Sequence, residues 1–150
     1  MSGAAPELRD QAVSSSNPGS RSGTTLLQLP PIRVRTDRAE AAAFALETGS
    51  LGGQDFMPLT YPIRWLTLPD VRRAVSQALG AGFLPVHEGQ RFAQVKNLEI
   101  DHDYELAFEL ELSEKPSRLT VRLRVSDSEG LSCALETVLR IVPAETDQSP

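Results

Sequence analysis

Two histidines, one cysteine and a loop aspartate are the side chains here best suited to proton transfer or nucleophilic attack. Asp55 closes the run Ser50-Leu51-Gly52-Gly53-Gln54-Asp55, where it needs burial to become an effective base, and a glycine-rich loop offers little of that. His87, between Pro85 and Gly89, is the more interesting titratable group. It reads either as a buried, hydrogen-bonded hinge between a helix and a strand or as an acid–base residue. His102, flanked by Asp101 and Asp103, reads as an exposed turn. Cys133 falls in an alternating apolar pattern, which suits a small core residue better than a nucleophile. Trp65, with Ile63 and Leu66, reads as core or as the lining of an apolar channel. Arg64, Arg72 and Arg73 suit phosphates, although helix surfaces more often carry arginine for solubility.

These side chains must be held by elements whose periods are legible. Leu26 to Arg35 predicts a short first strand broken at Pro30-Pro31. Asp37 with Glu40 makes a capping-box start, Ala41, Phe44, Ala45 and Thr48 form a helical stripe, and Gly49 is the stop. A second helical stretch runs from Thr60 to Leu79, kinked at Pro69, with Leu68, Val71, Val75, Ala78 and Leu79 as its apolar face and Gly80 as its end.

Beyond Gly82 the chain reads as extended. Strands are expected over Arg91–Ile100, Tyr104–Leu112, Leu119–Val125 and Leu131–Ile141, as an antiparallel meander. Outward Glu105, Glu109 and Glu111 face outward Arg122 and Arg124 across a turn at Lys115-Pro116, each pair supporting the hairpin by a few tenths of a kcal/mol. The result is an α+β fold, one antiparallel sheet with a central helix.

Of 150 residues, 40% are hydrophobic, enough for one core. Residues 25–143 form that domain, with a polar, Ser-rich disordered tail over 1–24 and a loose one over 144–150. A net charge of -5 and a pI near 5.0 disfavour nucleic acid, which requires a basic face. A lone cysteine, with neither a secretory h-region nor a membrane-length apolar run, points to the cytoplasm.

The segment Asp55–Leu98 resembles the helix and returning strand of MaoC-like hot-dog domains. The resemblance is carried by Pro58-Leu59-Thr60-Tyr61-Pro62 entering the helix and Val86-His87-Glu88-Gly89-Gln90-Arg91-Phe92 opening the strand. It implies a hot-dog fold, a curved antiparallel sheet wrapped around the helix, and acyl-thioester chemistry. In that family a run like D-x-N-P-x-H after the first helix supplies a catalytic Asp/His pair. Here Glu47-Thr48-Gly49 fits, but the run over 50–55 holds no histidine, so the resemblance is to the half of the family that lacks the dyad.

What the resemblance implies for function is a substrate-binding or non-catalytic dehydratase-like domain, with an acyl-CoA or acyl-ACP thioester as ligand and no metal or other cofactor. Pro58, Thr60, Tyr61 and Trp65 would bind substrate, the amides of Thr60 and Tyr61 taking the carbonyl oxygen at the helix N-terminus. The alternatives are a divergent 3-hydroxyacyl dehydratase, enoyl hydratase or thioesterase using Asp55 or His87, and a dimeric scaffold without ligand. The expected partner is a second hot-dog chain, in a homodimer or heterodimer, meeting a sheet edge near Glu105–Leu112.

Overall fold

The computed structural model describes residues 23–49 and 55–145. Most of the expected tails, 1–22 and 146–150, and the loop residues 50–54 lie outside the described residues. The chain opens with β1 (Thr25–Gln28) and β2 (Ile32–Arg35), separated where Pro30 and Pro31 have no amide to give to a ladder. The helix α1 (Arg38–Thr48) follows. Asp37 caps it by accepting the Ala39 amide at 2.8 Å, and Gly49 ends it at φ 73, a left-handed conformation costly for any side chain with a Cβ. Glu40 does not complete a capping box. Its Oε1 instead accepts the Tyr61 hydroxyl at 2.9 Å, fastening α1 to the next helical segment.

That segment is a 3-10 helix, Tyr61–Thr67, followed by α2 (Pro69–Leu79). Pro62 and Pro69 each stand in a first turn, where a missing amide breaks no bond. The expected kink is therefore a change of helix type. Four long strands complete the chain: β3 (Phe83–Gln94), β4 (Asp103–Glu114), β5 (Ser117–Asp127) and β6 (Gly130–Pro143). They form a curved antiparallel sheet in the order β1-β4-β5-β6-β3, with β2 also on β4.

Three expectations are corrected. The strand placed at Arg91–Ile100 begins at Phe83 and ends at Gln94. It was obscured because both its faces are largely exposed, and because a bulge between His87 and Gly89 interrupts the alternation. The meander holds only for β4, β5 and β6; β3 pairs with β6, at the far side of the sheet from β4. Consequently Glu105–Leu112 is not an edge, since β1 and β2 cover β4, and among the described residues the long unpaired edge belongs to β3.

The core lies on the inner face of the sheet. Leu106, Phe108 and Leu110 of β4, Leu119, Val121, Leu123 and Val125 of β5 and Cys133 and Leu135 of β6 are buried together with Val71 and Ala74 of α2. The outer face carries ion pairs. Arg122, whose register partners are Glu109 and Glu136, donates to Glu111 at 2.8 Å and Glu136 at 3.0 Å. The bulge gives Glu88 room to take both Arg118 and Arg140, whose cations, Arg118 first, hold its carboxyl below the usual range.

Candidate functional site

Along the inner face, β6 alternates Leu135, Thr137 and Leu139, and directly opposite residues of antiparallel strands share a face. Thr137 stands opposite Val121 of β5 and Gln90 of β3, and Leu139 opposite His87. Above them, Val71, Val75 and Leu79 recur at helical spacing along α2. Between the two layers runs an apolar groove of about 400 Å³, with Arg72 and Ser76 also contributed by α2 and Phe83, Leu84 and Pro85 by β3. It opens where the sheet ends. Phe83, Leu84 and Val86 of the edge strand are 45%, 52% and 44% exposed. Thr137 is buried in the groove wall, and its Oγ1 has no hydrogen-bond partner among the described residues.

The sequence candidates reach this groove unevenly. His87 is not a buried hinge; it lies within β3, exposed, with Nε2 at 3.2 Å from Gln90 Oε1. The strand's earlier start moves it from the helix–strand junction to the inner face beside the groove. Asp55 is exposed, in a bend joined through Phe56 to Glu99.

Tyr61 and Trp65 are core residues. Their rings pack edge-on at 5.5 Å, Phe44 meets Tyr61 at 5.2 Å, and burial with the Glu40 hydrogen bond pushes the Tyr61 phenol up to about 12. The Tyr61 amide donates to the Pro58 carbonyl at 3.0 Å, and Pro62 has none, so the expected pair of carbonyl-binding amides is reduced to that of Thr60, which is exposed. Pro58 is half-buried beside it. Of the aliphatics around Trp65, Leu66 lines the groove.

His102 is the other correction. It is half-buried rather than an exposed turn, and its partners are not Asp101 and Asp103. Nε2 lies 3.0 Å from Asp127, Nδ1 lies 3.6 Å from Glu99, and the ring leans on Tyr104. The Glu129 amide, helped by His102 and Lys96, holds the Asp127 carboxyl below its usual range despite burial. Thr36 ties this corner together. Its hydroxyl donates to Glu99 O at 2.7 Å and accepts the His102 amide at 2.9 Å. Sequence patterns gave no sign of it, because Glu99, His102 and Asp127 meet only through the turns around them.

Cys133 is buried as expected, and desolvation pushes its thiol up to about 11. Among the described residues no group of three or more His, Cys, Asp or Glu side chains could hold a metal ion. None of the helices described is long and apolar enough to cross a membrane. A larger concavity, about 470 Å³, lies on the outer face over Ala93, Ala107 and Ala134. It is bordered by the Arg122 ion pairs and, among the described residues, carries no buried polar atom without a partner, so the inner groove is the better candidate site.

No protein-family model matches the chain, and no curated protein matches it by sequence. Solved structures do. A hot-dog-like protein from Thermanaerovibrio acidaminovorans superposes with a TM-score of 0.56 at 11% identity, over 81% of this chain and 83% of that one. The chain has the hot-dog fold. The C-terminally truncated HadBC complex of Mycobacterium tuberculosis, a 3R-hydroxyacyl-ACP dehydratase, gives 0.58 at 17% identity over 78% of this chain and 96% of that one. A putative thioesterase, yhdA of Lactococcus lactis, gives 0.56 at 10% identity over 82% and 94%. The MaoC-like resemblance is thus supported at the level of the hot-dog architecture, on which more than one reaction is carried.

Proposed function

We propose that this protein is the binding half of a MaoC-like hot-dog pair in cytoplasmic acyl-thioester metabolism. In this reading it holds an acyl-coenzyme A or acyl carrier protein thioester and shapes its channel, while another hot-dog chain supplies the catalytic dyad. The observation that carries the reading is the apolar groove under α2, lined by exposed Phe83 and Leu84 of β3, whose edge is unpaired among the described residues. An open strand edge bordered by apolar side chains invites a partner strand, and such a partner also closes the groove. The run over 50–55, without histidine, supports binding over turnover.

A second reading, a divergent dehydratase, enoyl hydratase or thioesterase, is favoured by one observation: His87 faces the groove side of β3. Asp55 has no such placement.

Two measurements test the proposal. Light scattering at micromolar concentration should give a dimer, and Val86→Glu, at an exposed position opposite Arg140, should give a monomer that melts like the wild type. A wild-type monomer that fails to bind any acyl-coenzyme A would sink the binding reading. Hydration of crotonyl-coenzyme A should stay at background for the wild type and for Asp55→Asn. Turnover abolished by His87→Ala at unchanged melting temperature would make the protein an enzyme.

A further inference from the structure

The apolar groove under α2 carries a charge of one sign. Among the described residues that line it, Arg72 is the only charged one, and no aspartate or glutamate stands in its wall. The acid closest to it along α2, Asp70, is taken by Arg73 at 3.0 Å, whereas the Arg72 guanidinium has no ion-pair or hydrogen-bond partner among the described residues. Helical spacing sets its place. Arg72 and Ser76 lie one turn apart, exposed, beside the row of Val71, Val75 and Leu79 that faces the sheet, so the two polar side chains form a rim to an apolar wall. An arginine against such a wall lays its methylene stem along it and keeps the guanidinium at the water's edge.

We propose that the groove takes a free long-chain carboxylic acid, with the chain inward and the carboxylate at the rim, and that Arg72 is the residue that selects the charged head. A planar carboxylate accepts two parallel bonds from one guanidinium, and the Ser76 hydroxyl lies on the same rim to donate a third. The chain lies against Val71, Val75 and Leu139, in a volume of about 400 Å³ that suits a small ligand. The position of the charge decides between anions. In an acyl-coenzyme A the phosphates are separated from the acyl chain by the long neutral pantetheine arm, but Arg72 adjoins Val71, in the apolar wall itself. The cation is therefore placed for an anion carried directly on the chain. This ligand goes beyond the acyl-thioester reading and does not depend on it. The class of reaction that supplies it is hydrolysis, in which water cleaves the carbon–sulfur bond of a thioester and releases acid and thiol, so acid and thioester compete for one groove.

The test is calorimetry on the full chain with decanoate, below its micellar concentration, against decan-1-ol, which has the same chain and a neutral head. At low salt decanoate should bind about 5-fold tighter, the upper end for an ion pair that water screens, and the margin should shrink as salt is raised. Arg72→Gln should remove the preference without weakening decan-1-ol, and Arg72→Lys, which keeps the charge, should retain most of it. Ser76→Trp, which fills the mouth of the groove from an exposed position, should weaken both ligands. Equal affinity for acid and alcohol, a preference that survives Arg72→Gln, or binding that Ser76→Trp leaves unchanged would overturn the inference. Decanoyl-coenzyme A keeps the two readings apart. If it binds while decanoate shows no preference over the alcohol, the thioester reading stands and this inference falls. If decanoate binds through Arg72 and decanoyl-coenzyme A neither binds nor displaces it, this inference stands and the thioester reading falls. Binding of neither overturns both.

Discussion

The same substitution, threonine to valine, should have opposite effects at the two buried threonines Thr36 and Thr137. At Thr36 the hydroxyl donates to Glu99 O at 2.7 Å and accepts from the His102 amide at 2.9 Å. Valine removes both bonds and strands two backbone groups in a partly buried corner, at roughly 1–3 kcal/mol per stranded group. Water reaches part of that corner, so about 2–3 kcal/mol is expected in total, a melting-temperature loss of roughly 8–15 °C for a domain of this size. At Thr137 no bond is lost, because Oγ1 has no partner among the described residues. Valine also suits a half-buried strand, so Thr137→Val should be neutral or stabilising by up to about 1 kcal/mol. Urea unfolding followed by circular dichroism measures both, and an unchanged m-value shows that the comparison is one of stability. A loss at Thr137 approaching that at Thr36 would show that its hydroxyl has a partner.

Three further outcomes follow from the titrating groups. The Tyr61 phenol, raised to about 12 by burial first and the Glu40 bond second, is neutral in the fold while an unfolded tyrosine ionises near 10. Its contribution is complete below about pH 10 and is lost as pH rises toward 12, so Tyr61→Phe should flatten the alkaline limb of a stability–pH curve. Asp127, held low chiefly by the Glu129 amide, contributes above its unfolded pKa, and that stability is lost as pH falls below about 4. Asp127→Asn should therefore shrink the acid-side slope; an unaltered slope would mean that the corner is not coupled to folding. Cys133, buried and with its thiol raised to about 11, should resist iodoacetamide at pH 8 and react only on denaturation. Rapid labelling of the native protein would contradict the packing.

How much of this was legible depended on whether the signal was local. The Asp37 cap, the Gly49 stop, the proline-opened second helix and the alternation of β4 and β5 could be read directly, because a helix start or a half-buried strand is written in neighbouring residues. The quoted motifs supplied the hot-dog expectation, which the architecture bears out. β3 was misplaced for a physical reason: its edge buries neither face well, and the Glu88 bulge resets the alternation that marks a strand.

The candidate site was less legible still. Sequence alone marked His87, Tyr61 and Trp65 as chemically notable, but not which of them meets the groove. Packing decided that. Tyr61 and Trp65 went into the core with Phe44, the Tyr61 amide was taken by Pro58, and His87 came to the inner face because β3 starts at Phe83 and carries it opposite Leu139 of β6. Thr137 gave no local signal at all. A threonine in an alternating strand reads the same whether its hydroxyl is satisfied or orphaned, since only the atoms brought around it by α2, β3 and β5 determine what is left to bind.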